Sequence, residues 1–262
     1  MVSQENSIGK PLAAASWLAS HHQAKFPERT AFAKRLASLK PRSIVDLGCA
    51  SGLWLETLNQ FLPTECEFIG IDSDEELLNM AVQRSNFWQR KVSFLQLDLE
   101  QEAFRIPPSD LTLAFNIFPY IRNLDSFVNI LSQRTPRGTL AIRQYDGASI
   151  RFGPMPTSKR QAIEIDLRVA TENSQRFYHY DLDRTYSVLR HSPYQQCSYE
   201  FELFERFSPF PIDFLPYYEE TLLWTYQFLS KKTADYFRTW IDADPLMQNR
   251  YFYEVDLVAL LS

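Results

Sequence analysis

The sequence predicts an α/β protein, a mostly parallel sheet with helices on both faces and an antiparallel strand pair at its end. Three observations predict it. Short apolar runs at 43–48, 67–72, 92–99, 110–118 and 138–145 read as buried strands, and helical stretches separate most of them. Crossovers of that kind join parallel neighbours, and a parallel sheet needs cover on both faces. Past residue 146 the rhythm changes, and two long alternating runs, "SYEFELFERF" and "RYFYEVDLVALLS", read as an antiparallel pair at the sheet edge.

Taken in order, "PLAAASWLASHHQAKFPERTAFAKRLASL" gives two helical pieces broken near Pro27, and Pro41 stops the second. "SIVDLG" is the first strand, followed by a helix with Leu55, Leu58 and Leu62 on one face. "EFIGID" is the second, and "SDEELLNMAVQR" is a helix in which Ser73 and Glu76 have capping-box spacing. "VSFLQLDL" and "DLTLAFNIF" are the third and fourth strands, "LDSFVNILSQ" is a helix, and "GTLAIRQY" is the fifth strand. Helices are expected near 158–171, 181–191, 216–230 and 233–241. The implied organisation is an N-terminal helical cap at 1–41, a core at 42–146, an inserted lid at 147–195, and strands and helices at 196–262 that complete the sheet.

Composition limits the function classes. Twenty Phe, thirteen Tyr and five Trp make 15% of the 262 residues aromatic, enough for an aromatic-lined cavity as well as for an aromatic core. A formal charge of −5 argues against a nucleic-acid footprint. Three cysteines, Cys49, Cys66 and Cys197, are too scattered for a disulfide framework or a zinc site. No stretch approaches the ~18 apolar residues of a membrane span, and the N-terminus has no secretory pattern, so a cytoplasmic protein is expected.

The chemistry concentrates in "SIVDLGCASG". Gly is scarce, seven in all, and Gly48, Gly52, Gly70 and Gly138 fall at strand boundaries. A strand ending in Asp46, two glycines and then a helix lets backbone N–H groups and a helix N-terminus approach a ligand. Asp72 follows at the end of the second strand, where a carboxylate takes ribose hydroxyls. A dinucleotide is poorly served: from Gly48 the chain reads G-C-A-S-G-L, with Ala50 and Leu53 in place of the second and third glycines. A P-loop is absent, and no Tyr is followed four residues later by Lys.

"VDLGCASG", "GID", "LQLDL", "FNIFPYI" and "TPRGTLAI" together resemble the motif series of the class I S-adenosylmethionine-dependent methyltransferases over residues 42 to 145. The family's Asp/Glu-x-Gly-x-Gly-x-Gly pattern falls on Asp46, Gly48, Ala50 and Gly52, with Ala50 departing from the middle glycine. The resemblance implies a Rossmann-like seven-stranded sheet, an enzyme, and S-adenosyl-L-methionine as cofactor. It implies that Asp46 to Gly52, Cys49 included, hold the methionine moiety. Asp72 and Ser73 would serve the ribose, Asp98 and Leu99 the adenine, and Asn116 and Ile117, with Phe118, the floor under the sulfonium.

The acceptor has no shared motif. "AIRQYDGASIRFGPM" leaves the fifth strand over its C-terminal end, where ligands bind in such sheets. Arg143 and Arg151, with Tyr145, would clamp an anionic acceptor, because guanidinium matches carboxylate bidentately; alternatively Arg143 and Asp146 form a structural ion pair. Asp146 or His179 would serve as base for an amine or hydroxyl, whereas a carboxylate needs none. Phe118 and Tyr120 are expected at the acceptor pocket, with core packing the other reading of Phe118. His21 and His22, about 100° apart on a helix, read as a solvated face, and no metal is expected. The leading expectation is a methyltransferase for a small organic acceptor, a carboxylate-bearing natural product or short peptide. The alternatives are an N- or O-methyltransferase using Asp146 or His179, and a non-catalytic cofactor-binding protein.

Overall fold

A computed structural model describes residues 5–10 and 12–262. Helices α1 (Ala15–Ala24) and α2 (Phe26–Ala37) part at Lys25, whose φ of −108° breaks the helical run; Pro27 sits in the first turn of α2, where its missing N–H costs nothing. The alternating core follows as β1 (Ser43–Leu47), α3 (Leu53–Asn59), β2 (Glu67–Asp72), α4 (Glu75–Ser85), β3 (Val92–Gln96), the short α5 (Leu99–Glu102), β4 (Leu111–Phe115), α6 (Leu124–Arg134) and β5 (Thr139–Tyr145). Then come β6 (Phe152–Gly153), α7 (Thr157–Asn173), α8 (Leu182–Arg190), β7 (Cys197–Phe207), α9 (Leu215–Tyr226), α10 (Lys231–Asp242) and β8 (Tyr251–Leu261).

The strands form one mixed sheet in the order β3-β2-β1-β4-β5-β8-β6, with β7 on the far edge of β8. Five strands run parallel, and β8 enters antiparallel against β5. The final antiparallel pair expected from the alternating runs is β7 with β8, in register from Cys197↔Leu261 to Phe207↔Tyr251. The two-residue β6 takes over from β5 along the first half of β8, an eighth strand beside the seven expected. It is too short for periodicity to reveal.

Two local expectations need correction. The cap of α4 is Asp74, whose carboxylate accepts from the N–H of Glu76 and Leu77, so the capping box expected of Ser73 does not form. Helix α3 ends at Asn59, which leaves Leu62 beyond it, although Leu62 is still buried in the same core as Leu55 and Leu58.

Apolar packing covers both faces of the sheet. Leu36, Leu55, Leu58 and Phe68 fill one side, and Ile71, Leu124, Leu131 and Leu189 the other. A third cluster, rich in rings, joins the inserted region to the last helices: Phe152, Phe177, Phe214, Tyr217, Phe237 and Phe252 are all buried. Much of the aromatic excess is therefore structural.

Candidate active site

The turn after β1 is built from residues in left-handed backbone conformations. Gly48, Ala50 and Gly52 have φ of +67°, +47° and +78°. A Cβ on Gly48 would lie 2.5 Å from the Ile117 side chain, so glycine is required there by both angle and space. Ala50 adopts the same region at the cost of strain. Its N–H donates to Asp72 Oδ2 at 2.8 Å, and Asp74 N–H donates to Asp72 Oδ1 at 3.0 Å, so Asp72 holds the turn as well as facing the cavity. Burial raises the Asp72 carboxyl above its ordinary value. Beneath the turn Asp46 is buried with Oδ2 unpartnered, and burial, then the Asp72 charge, pushes its carboxyl up to about 8.

The C-terminal ends of β1, β2 and β4, with the segment after β3, open onto one cavity of about 630 Å3. Gly48, Cys49, Ala50, Asp72 and Ser73 line it, as do Asp98, Leu99, Asn116 and Ile117. Asp98 accepts from Glu100 N–H at 3.0 Å as the cap of α5. Asn116, at φ +56°, accepts through Oδ1 from Tyr145 N–H, which joins the β4 end to the β5 end. Gly52 lies outside the lining. Its missing Cβ faces Ala81 of α4 at 3.3 Å, so it serves the backbone and helix packing rather than ligand approach.

The remaining wall is aromatic. Tyr120 and Tyr145 line it with Tyr180, whose hydroxyl donates to that of Tyr120 at 3.0 Å; Trp224 and Phe228 continue it from α9 and just beyond. Trp17 and His21, four residues apart on α1, close the other side. His21 and His22 are buried, not solvated as expected. His21 stacks on Tyr217 with ring centroids 4.8 Å apart, and its Nε2 has no hydrogen-bond partner. Burial and then the neighbouring cations Arg29, Lys25 and Arg151 hold it neutral, well below its ordinary pKa. His22 Nδ1 meets Arg29 at 2.7 Å, and its Nε2 meets Thr57 Oγ1 at 3.3 Å. The N-terminal segment crosses this wall: Asn6 donates to Tyr120 O, while the Lys10 ammonium sits 4.3 Å from the Tyr180 ring centre and donates to Tyr178 O.

The expected anion clamp is not built. Arg143 is buried and donates at 2.6 Å to both Asp256 and Glu202; Arg151 is buried and donates to Glu254 at 2.7 Å. Neither lines the cavity. The pairing of Arg143 with Asp146 is absent too. Asp146 accepts from Ala148 N–H and Ser149 Oγ in a local turn, away from the cavity. His179 is likewise outside the lining, at φ +70°, and burial followed by Arg184 lowers its pKa to about 4. Phe118 packs edge-on against Phe127 in the core, leaving Tyr120 to face the cavity. Residues that the sequence reading passed over, Arg29, Trp54, Glu220 and Trp224, line the cavity instead.

Carboxylates at Asp72 and Asp98 would repel a phosphorylated nucleotide but suit ribose hydroxyls and an adenine amine. The residues present therefore fit a phosphate-free nucleoside such as S-adenosylmethionine. Residues 44–134 match the family of methyltransferase domains. No curated protein matches the chain by sequence. Among solved structures, the chain is similar to a putative methyltransferase from Bacillus halodurans (12% identity, TM-score 0.55, covering 88% of this chain and 97% of that one). It is also similar to the YcgJ protein of Bacillus subtilis (10%, 0.53, 90% and 98%) and to the plantazolicin methyltransferase BpumL in complex with SAH (19%, 0.51, 95% and 88%). Residues 44–134, the segment that matches the family of methyltransferase domains, supply the strand ends and the turn of the cavity, and these solved structures share the chain's fold.

Proposed function

We propose that this protein transfers a methyl group from S-adenosylmethionine to the nitrogen or oxygen of a small organic acceptor whose flat or apolar body lies among Tyr120, Tyr145, Tyr180 and Trp224. The observation that carries this is one cavity with two unlike halves, acids and a tight turn on one side and aromatic rings on the other. The cofactor supplies an already activated methyl group. What remains for the protein is alignment and exclusion of water.

Asp72 accepts the ribose hydroxyls and Asp98 the adenine amine, while Asn116 and Ile117 support the cofactor from beneath. On the acceptor side the rings exclude water, and the hydroxyls of Tyr120 and Tyr180 orient a polar substituent. His21, neutral and stacked on Tyr217, adds its ring to this wall while its Nε2 stays buried 3.9 Å from Glu254. Carboxylate methylation lost its support when Arg143 and Arg151 proved to be engaged by Asp256, Glu202 and Glu254. The plantazolicin methyltransferase among the similar structures supports a natural-product acceptor.

Calorimetry tests the cofactor half. The parent is expected to bind S-adenosylhomocysteine, and Asp72→Asn to bind it roughly tenfold to hundredfold more weakly, the loss of a charged hydrogen-bond acceptor. Radiolabelled methyl transfer to matched aromatic amines, phenols and carboxylates tests the acceptor half. Label on amine or phenol is expected; label on the carboxylate alone would overturn the reading.

A further inference from the structure

Arg29 is the cation that the buried ion network leaves over. Behind the cavity, Lys25, Arg143 and Arg151 are each paired with a carboxylate among Glu202, Glu254 and Asp256. Arg29 adds a fourth cation to those three acids. It is buried, it has no carboxylate within 4 Å among the described residues, and it makes one hydrogen bond, to His22. Its Nε is buried without a partner. Burial and the nearby Arg143 lower its pKa to about 10, so the guanidinium stays charged at neutral pH. An unpaired buried charge is costly, and a guanidinium presents a fork shaped for a carboxylate.

The geometry points to that carboxylate being the one on the methionine moiety of the cofactor, and we infer that Arg29 is a cofactor-positioning residue. The inference rests on the cofactor reading above. Arg29 lines the cavity where α2 meets α3 at the turn, with its guanidinium 5.1 Å from the centre of the Trp54 ring, and Trp54 packs against Phe115 at the end of β4. It meets His22 of α1 and the ring of Trp54, which stands in the first turn of α3 directly after the turn that follows β1. That contact sets the guanidinium beside the turn to which the methionine moiety is assigned.

Two comparisons test this by calorimetry. In the parent, S-adenosylhomocysteine is expected to bind about 10- to 100-fold more tightly than its carboxamide, which keeps every group but the charge. Arg29→Gln is expected to lose that preference while binding 5′-methylthioadenosine, which lacks the amino-acid portion, as the parent does. A parent indifferent to the carboxamide would overturn the assignment without any variant. So would a folded Arg29→Gln protein with parental affinity for S-adenosylhomocysteine, or one weakened equally toward methylthioadenosine. A parent that binds neither S-adenosylhomocysteine nor methylthioadenosine would overturn the cofactor reading itself, and this inference with it.

Discussion

Asp46 stores a proton that the unfolded chain would give up. Its folded pKa of about 8 lies above the ordinary carboxylate value, so between the two the folded state binds a proton that the unfolded state has lost. Its contribution is therefore complete at low pH and is lost as pH rises toward about 8. Asp46→Asn keeps a neutral side chain throughout. In ligand-free urea denaturation, the parent should lose stability relative to that variant by up to about 1.4 kcal/mol per pH unit between roughly pH 5 and 7. Parallel profiles would mean that the carboxylate is charged in the folded protein. The strand-end positions of Gly48, Asp72, Asp98 and Asn116, all lining the cavity, were legible in sequence because each stands at or near the end of a contiguous apolar run; Asp46, expected beside them at the ligand, is buried beneath the turn and outside the lining. Arg29 and His21 owe their positions to α1 and α2 folding across distant strand ends. The four-residue spacing of Trp17 and His21 was the one local hint that this helix faces a site.

At the level of elements, most of the helices and strands were readable from period alone, while their ends were not. Helix α4 illustrates why. Ser73 and Asp74 both have capping chemistry, and Asp74 wins because Asp72 accepts its N–H and fixes the backbone entering the helix. Asp74→Ala should therefore cost about 1 kcal/mol in chemical denaturation, the usual worth of an N-cap. A variant as stable as the parent would show that the helix start is held by Asp72 alone. That the inserted region reaches the cavity was legible in the sequence, but its chemistry was not. Arg176 and Tyr180 do line the cavity, whereas Arg184 spends its guanidinium on the carbonyls of Phe118, Ile121 and Arg122 and so pins the segment that carries Tyr120.

Across the whole molecule, β8 is the organising strand. It pairs with β5, β6 and β7, and its Glu254 and Asp256 neutralise cations brought by α1–α2, β5 and the β5–β6 connection. Glu254 alone accepts from Lys25, Arg151 and Tyr217. Glu254→Ala would leave the buried Arg151 without a carboxylate and Lys25 with Asp256 alone, and should destabilise the protein by about 3–5 kcal/mol in guanidinium denaturation. A loss near 1 kcal/mol would mean that the network relaxes or hydrates. These acids lie 59 to 113 residues beyond the arginines they pair with, so no reading of the segment around Arg143 could have found them.

The divided wall of the cavity carries one more consequence. The turn, the acids and Tyr120 come from a single contiguous stretch, whereas the other rings of the wall arrive from α1, the end of β5, the segment before α8, and α9. Mutation can therefore redraw the ring side piecemeal while the nucleoside side stays intact. On the proposed reading, substitutions in those outlying segments alter the choice of acceptor first, and those in the contiguous stretch alter cofactor binding.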